Sequence, residues 1–516
     1  MCCLQCTAIS AAILGPDNAK VEYVDMNEGD TFDIQPVEVT PFMDTRQKNI
    51  RSAATFYRGG FVLAGDPFYL ECAEDKHFKY IEECKDLMFC AREDSQRYDF
   101  ILGDLSQRNV IVIEGGPMDY FRAIADGVCN IFTVLPIAMG EAGLRKMGYT
   151  GDYTTGSKIY SKAMWSLMTP ADDPVLSDFV NAVFGALLVA ELRNITRETA
   201  EQFPQTQVFG DGYQDMFRHA VAAVGNYGEM YESSVEPFQP RENQNFLYNE
   251  GAKEHVMNAT GLMYTMPIDQ IYDGTDVDGN GPKPLGGTLR KVLERGRLHC
   301  GVRFGRPGFA MEAAPNSTSA SVTGLDVDFC FAVASGLFGG DLSTVDLVHL
   351  ANSGEGYRML VSGDVDIVAG ATWNLENDVR EPTTGIGFSF SEPYFYRPTI
   401  PSSSGNELGT EENLCLATMQ DDHDWASFVY WVSSSTVYAE EMGIDKRLFN
   451  RMPLSNAYGP GLKRMFKDTV LGVGNYQEIY RRNLEETGIL PRSGQNLLNG
   501  AVRFGPQFYA MPGLIP

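Results

Sequence analysis

VGNYGEMYE, residues 224–232, returns as VGNYQEIYR at residues 473–481, an offset of 249. Self-similarity over such a distance is the signature of duplicated structural units. At the same offset Asp172, Phe179, Val180, Ala190, Glu191 and Ile195 fall on Asp421, Phe428, Val429, Ala439, Glu440 and Ile444. Tyr264, Met266 and Pro267 reappear as Tyr509, Met511 and Pro512, the offset drifting to 245. Towards the start, CTAISAAILG (6–15) matches CFAVASGLFG (330–339) at 324, and KVEYV (20–24) matches TVDLV (344–348) in that frame. FYR occurs at both 56–58 and 395–397. The sequence reads as a tandem duplication.

The drift in offset locates what the two copies do not share. Between FYR and the shared Asp-Asp pair, copy 1 has 113 residues and copy 2 only 23, so copy 2 lacks about 90. Met1 corresponds to Leu325 while copy 2 starts near Leu285, so copy 1 lacks about 40 at its start. The expected domains are 1–270 and 288–516, joined by a Gly/Pro/Asp-rich linker at 271–287. DVDGNG (276–281) resembles half of a calcium loop, but Gly287 occupies the position that needs a bidentate Glu. An acidic linker is the better reading, and no metal site is expected.

The 516 residues are 44% hydrophobic and 21% charged, enough to bury sizeable cores. The net charge of −27 repels phosphate backbones and anionic lipids, which excludes nucleic acid as a partner. No apolar run is expected to span a bilayer; the best, Val175 to Leu192, reads as a buried helix. MCCLQCTAISAAIL lacks the basic start and cleavage site of a signal peptide.

Strand and helix patterns alternate in copy 2. RLHCGVRF (297–304), DLVHL (346–350) and VDIVAG (365–370) read as strands, and VDFCFAVASGLF (327–338) and YRMLVSG (357–363) as helices. In copy 1 LMFCA, VIVIEGG and NIFTV (87–91, 110–116, 130–134) with YFRAIADGVC (120–129) form a second such set. Such alternation predicts α/β layers with parallel strands.

GVRFGRPGFA, GLDVDFCFAVASGLFG, SGDVDIVAGATWNLEND and FSFSEPYFY, in that order, resemble the first lobe of solute-binding protein family 3. In copy 1, DYFRAIADGVCNIFTV, ADDPVLSDFVNAVFGALLVAELRNIT, VGNYGEMYE and GLMYTMP resemble its second lobe and closing segments. The resemblance is to the general L-amino-acid-binding proteins of ABC importers, which have the type II periplasmic binding protein fold. It implies tandem units, each based on two α/β lobes closing over a ligand, with copy 2 lacking most of lobe 2.

A bound α-amino acid needs a cation and hydroxyl donors at one end and a carboxylate at the other. The family's carboxylate-binding Thr matches Thr372, beside Trp373 in ATWNLEND. Five residues on, where the family has Arg, stands Asn377; Arg380 is the substitute candidate. In copy 1, Thr40 takes the Thr position, with Thr45 and Arg46 beyond. The family's Gly-Thr-Thr turn is replaced by Glu93, Asp94 and Ser95, and its ammonium-binding Asp by Leu135. Phe309 stands at a cleft aromatic position. Ligand-binding candidates are therefore Phe309, Thr372, Trp373 and Arg380, in a cleft whose amino-acid residues are eroded.

The family carries Cys at the positions of Cys90 and Cys129, and of Cys300 and Cys330, which implies two disulfides; reduced buried thiols are the alternative. Sequons at Asn194, Asn258 and Asn316 fit glycosylation on a secretory route, and the resemblance adds a periplasmic location if the source is bacterial. Copy 1 has no residue to match Cys300, so Met1 is not expected to be the biological start.

No nucleophile elbow, P-loop, HExxH or dinucleotide fingerprint is present, so no catalytic residue and no cofactor are assigned. The expected function is a non-catalytic, solute-binding-like protein whose partner is a small polar solute or a protein. The alternative is an interaction module that keeps the fold without a solute.

Overall fold

The computed structural model describes residues 2–23, 33–38, 50–59, 62–74, 84–92, 110–115, 117–134, 141–156, 163–170, 173–206, 208–236, 241, 287–312, 322–373, 384–396, 413–455, 458–492 and 514–515. All of the expected linker but Gly287 lies outside them, and Gly287 itself opens a helix.

The chain first runs α1 (Cys2–Leu14), β1 (Gln35–Glu38), β2 (Ile50–Gly59), β3 (Val62–Gly65), α2 (Pro67–Glu74) and β4 (Phe89–Arg92). It continues through β5 (Val110–Ile113), α3 (Pro117–Ala125), β6 (Ile131–Val134), α4 (Glu141–Lys146), β7 (Thr154–Thr155) and β8 (Ala163–Pro170). Helix α5 (Pro174–Leu192), β9 (Gln205–Thr206), α6 (Met216–Val224) and α7 (Tyr227–Ser234) follow. These elements build two sheets: β1-β8-β2, in which β8 is antiparallel to both neighbours, and β5-β4-β6-β3-β7, parallel at β5-β4-β6. The chain passes between the sheets twice, from β2 to β3 and from β7 to β8, which makes two lobes joined by two crossings.

The second part runs α8 (Gly287–Arg295), β10 (Leu298–Val302), β11 (Met311–Glu312), β12 (Val322–Thr323), α9 (Leu325–Leu337), β13 (Val345–His349), α10 (Ser353–Ser362) and β14 (Ile367–Thr372). Then come β15 (Phe388–Phe390), β16 (Phe395–Tyr396), β17 (Asn413–Met419), α11 (His423–Glu441), α12 (Met465–Val473), α13 (Tyr476–Tyr480) and β18 (Leu514–Ile515). One sheet dominates, ordered β13-β10-β14-β17-β15 with β16 also on β17. Its strands β13, β10 and β14 are parallel, and β17 is antiparallel.

Helix starts follow local chemistry. Asp173 caps α5 by accepting from the Leu176 N–H at 2.9 Å, with Pro174 at the first helical position, and Asp422 caps α11 by accepting from Trp425. The shared Asp-Asp pair is thus a helix-start signal used twice. Gly363, left-handed at φ 76°, ends α10 where a Gly stop was expected. Helix α5 departs from expectation: its window Pro174–Glu191 has a mean hydropathy of 1.4 and is long and apolar enough to cross a bilayer. However, 72% of that window is buried inside the protein, where it packs on β2, α1 and α6.

Strand registers correct two sequence matches. Gly59 pairs with Ala163 at the end of the β2–β8 ladder, and Tyr396 with Asn413 at the end of β16–β17. The ladders therefore set Tyr57, opposite Trp165, equivalent to Phe395, opposite Leu414, one residue out of step with the FYR match. A one-residue slip exchanges the faces of a strand, and the irregularities in the β2 ladder at Ser52/Ala54 and Thr55/Tyr57 absorb it. Likewise Glu38, opposite Trp165, takes the register position of Thr372, opposite Leu414; Thr40 lies outside the described residues. Residues 20–23 form no strand although their match lies at β13. β13 pairs with β10, which has no described counterpart in the first part, and a lone strand has no ladder to join.

Between the closing pairs of the two ladders, the first part inserts residues 60–162, its whole second lobe. The second part inserts only residues 397–412.

Candidate functional site

In open α/β sheets ligands bind beyond the carboxyl ends of the parallel strands. In the second part that edge carries Arg303 and Arg306 after β10, Thr372 at the end of β14 with Trp373 just after it, and the start of α9. Its centre is Asp326, 0% exposed. Asp326 Oδ2 pairs with Arg306 Nη1 at 2.9 Å, and Oδ1 accepts from the Tyr394 hydroxyl at 2.7 Å. The Gly370 N–H donates to that same hydroxyl at 2.6 Å, and Arg303 donates to the Gly370 carbonyl at 3.1 Å. Gly370 sits at an irregularity between Ala369 and Ala371 in β14, at φ 68°. A β-carbon there would lie 2.6 Å from Asp326 Oδ2 and 2.9 Å from Arg306 Nη1, so the network requires glycine. Burial raises the Asp326 carboxyl above the usual carboxylate range, with Arg306 and the Tyr394 hydroxyl pulling the other way. Tyr394 stacks on Phe329 with centroids 4.1 Å apart, and its own hydroxyl is pushed far up by burial.

Phe309 is drawn into this network rather than standing apart. The Arg306 guanidinium lies 4.8 Å from its ring centroid, and its ring meets Phe395 edge-on at 4.8 Å. Thr372 is half-buried, and its carbonyl accepts from the Tyr357 hydroxyl at 3.3 Å. Trp373, also half-buried, packs at once against the small core holding Leu350, Leu360 and Val368 and against the core built around α5 and α6 of the first part. The structure thus gathers Phe309, Thr372 and Trp373 at one sheet edge. Arg380, Asn377, Leu135, Thr45, Arg46 and the Glu93–Ser95 turn lie outside the described residues.

A second constellation was missed by the sequence reading. Arg241 makes a two-pronged pair with Glu191 at 2.6 and 2.8 Å, and its guanidinium lies over the rings of Tyr227 and Tyr231 at 5.0 and 5.5 Å. Arg492 does the same with Glu440 at 2.7 and 2.9 Å, over Tyr476 and Tyr480 at 4.9 and 5.7 Å. The Tyr227 hydroxyl donates to the Phe56 carbonyl and the Tyr476 hydroxyl to that of Tyr394, both at 2.7 Å. Asn226 and Asn475 cap their helices and reach the carbonyls of Ile195 and Ile444 at 2.9 and 3.0 Å. The signal was a second repeat: Pro240-Arg241 with Gln244-Asn245, and Pro491-Arg492 with Gln495-Asn496.

Disulfides join Cys90 to Cys129 and Cys300 to Cys330, as expected. A third, Cys72–Cys84, was not expected, because no family position pointed to it. Cys6 and Cys415 take part in none of these three bridges.

No family model matches the chain. It is 26% identical over 321 residues to the general L-amino acid-binding periplasmic protein AapJ of Rhizobium johnstonii, covering 92% of that protein and 42% of this chain. It is also 26% identical over 320 residues to the putative amino-acid ABC transporter-binding protein YhdW of Escherichia coli K12, covering 92% of it and 43% of this chain. Over that stretch the chain is similar to these periplasmic amino-acid-binding proteins. Among solved structures, it is similar to an ABC transporter periplasmic binding protein from Brucella ovis with glutathione bound. That likeness has a TM-score of 0.35 and 22% identity, and covers 43% of this chain and 99% of the other.

Proposed function

We propose that this is a non-catalytic, solute-binding-like protein of two tandem units, the first two-lobed and the second reduced to one lobe. The observation that carries the reading is the pair of ladders. The same antiparallel frame leads into a 103-residue lobe in one half and a 16-residue connection in the other. The doubled Arg–Glu–Tyr–Tyr constellation supports it, as does the match of nearly a whole relative to less than half of this chain. Two lobes on two crossings are the geometry of a hinged clamp. The ligand is a small polar solute other than a free α-amino acid. Leu135 and Asn377 replace the groups that an ammonium and a carboxylate require, and losing one such partner costs about 2–5 kcal/mol. A secretory or periplasmic location accords with the relatives and the three disulfides. Asn194 is exposed, and of the three sequons it alone lies among the described residues.

Isothermal titration with the twenty amino acids tests the ligand reading. No binding at micromolar or tighter affinity is expected, and any such binding overturns it. A thermal-shift screen of other small polar solutes separates this reading from the interaction module, since a saturating ligand raises the melting temperature. The packing of Trp373 against the first unit favours the module; a screen in which no solute shifts the transition would select it.

A further inference from the structure

Two buried polar residues break the repeat and meet each other. Asp178 lies in the first turns of α5 in the first unit, and Gln420 follows β17 in the second. Gln420 Nε2 donates to Asp178 Oδ1 at 2.7 Å, across 242 residues of sequence. Gln420 is 2% exposed and Asp178 6%. At the repeat offset of 249, Asp178 corresponds to Ser427 and Gln420 to Ala171. Ser427 answers to its own unit, sharing a hydrogen bond with the Tyr458 hydroxyl at 2.5 Å. A buried carboxylate is costly unless a donor replaces its water, and the donor here comes from the other unit. Neither residue recurs at the matching position of the other unit, and the two meet each other.

Trp373 supplies an independent contact between the units. It stands at the carboxyl edge of β14, where the solute would be expected, and packs against the first unit's core. We infer that the two units dock through Asp178–Gln420 and Trp373 into one cooperative body, in which the first unit is the partner of the second unit's cleft edge. This goes beyond the solute reading and holds whether or not a solute is bound.

The test is calorimetry and hydrogen exchange on the full chain with Asp178→Asn, Gln420→Glu, the double variant and Trp373→Ala. The native protein is expected to unfold in one transition. Gln420→Glu sets two carboxylates against each other, so it lowers the melting temperature by several degrees and splits the transition. The double variant places an amide donor opposite a carboxylate again and recovers at least half of that loss. Trp373→Ala is expected to speed amide exchange in α5 of the first unit. If Gln420→Glu fails to fold, the exchange result decides alone. Two independent native transitions, additive losses in the double variant, or exchange changes confined to residues near 373 would each overturn the inference.

Discussion

Asp326 shows how one residue sets a pH response. Its carboxyl is held above its unfolded value by burial, so between the two values the native state holds more protons than the unfolded chain. Stability then falls as pH rises through that window. Denaturant midpoints of the native protein and Asp326→Asn are therefore expected to diverge from about pH 4 upward, with the native protein losing ground. A constant difference across pH would count against this account. Gly370→Ala forces a β-carbon into the same network at a positive φ. A loss of at least about 1–3 kcal/mol is expected from denaturant unfolding, and an unchanged midpoint would refute the crowding. Residue-scale chemistry was only half legible. Phe309 and Thr372 were placed at that edge by family position, but Asp326, Arg306 and Tyr394 are 20 and 68 residues apart and meet only because three elements converge on one sheet edge.

Elements repeat where single residues differ. Helices α7 and α13 are each held by an Arg arriving from the segment that follows and a Glu from the long helix before. Removing Arg492 alone would strand Glu440, whose side chain is only 13% exposed, at a cost of up to about 3–5 kcal/mol. Arg492→Met should show that loss, while Arg492→Met with Glu440→Leu should recover most of it, because a packed apolar pair can replace a buried ion pair. Failure of the double variant to recover would mean that the cation also holds the tyrosine rings. The helices themselves were readable in place, with the Gly stop of α10 as one local signal; the Asp and Asn-x-x-Glu caps are local signals that the structure brought out. The β2–β16 equivalence was not, since the one-residue slip at the FYR match depends on ladder irregularities that no local pattern announces.

For the whole molecule, covalent and noncovalent closure divide by lobe. Cys72–Cys84 and Cys90–Cys129 both lie with the β5-β4-β6-β3-β7 sheet, and Cys300–Cys330 joins β10 to α9 beside the β13-β10-β14-β17-β15 sheet. A non-reducing peptide map is expected to return these three bridges. Free thiols at the paired positions in protein from its native source would remove the secretory proposal. Cys90–Cys129 closes a 39-residue span, and in the chain-entropy model its reduction costs about 3–4 kcal/mol. That loss should fall on the first unit's second lobe, read as raised amide exchange between residues 87 and 134.

The sequence by itself determined the α/β class, the approximate helix positions and the internal self-similarity, and the family resemblance it carries implied the Cys90–Cys129 and Cys300–Cys330 bridges. The elements and the self-similarity are carried by periodicity and matched spacing, which act over a few residues or survive as copies. Only the tertiary structure decided the strand register, the ion network around Asp326, the Arg–Glu latches and the contact between Asp178 and Gln420. A hydrogen bond across 242 residues leaves no periodic trace. Its partners are polar residues that break the repeat, and a repeat read alone counts them as noise. What pairs them is the stabilisation that a buried carboxylate gains from a donor brought close by the fold.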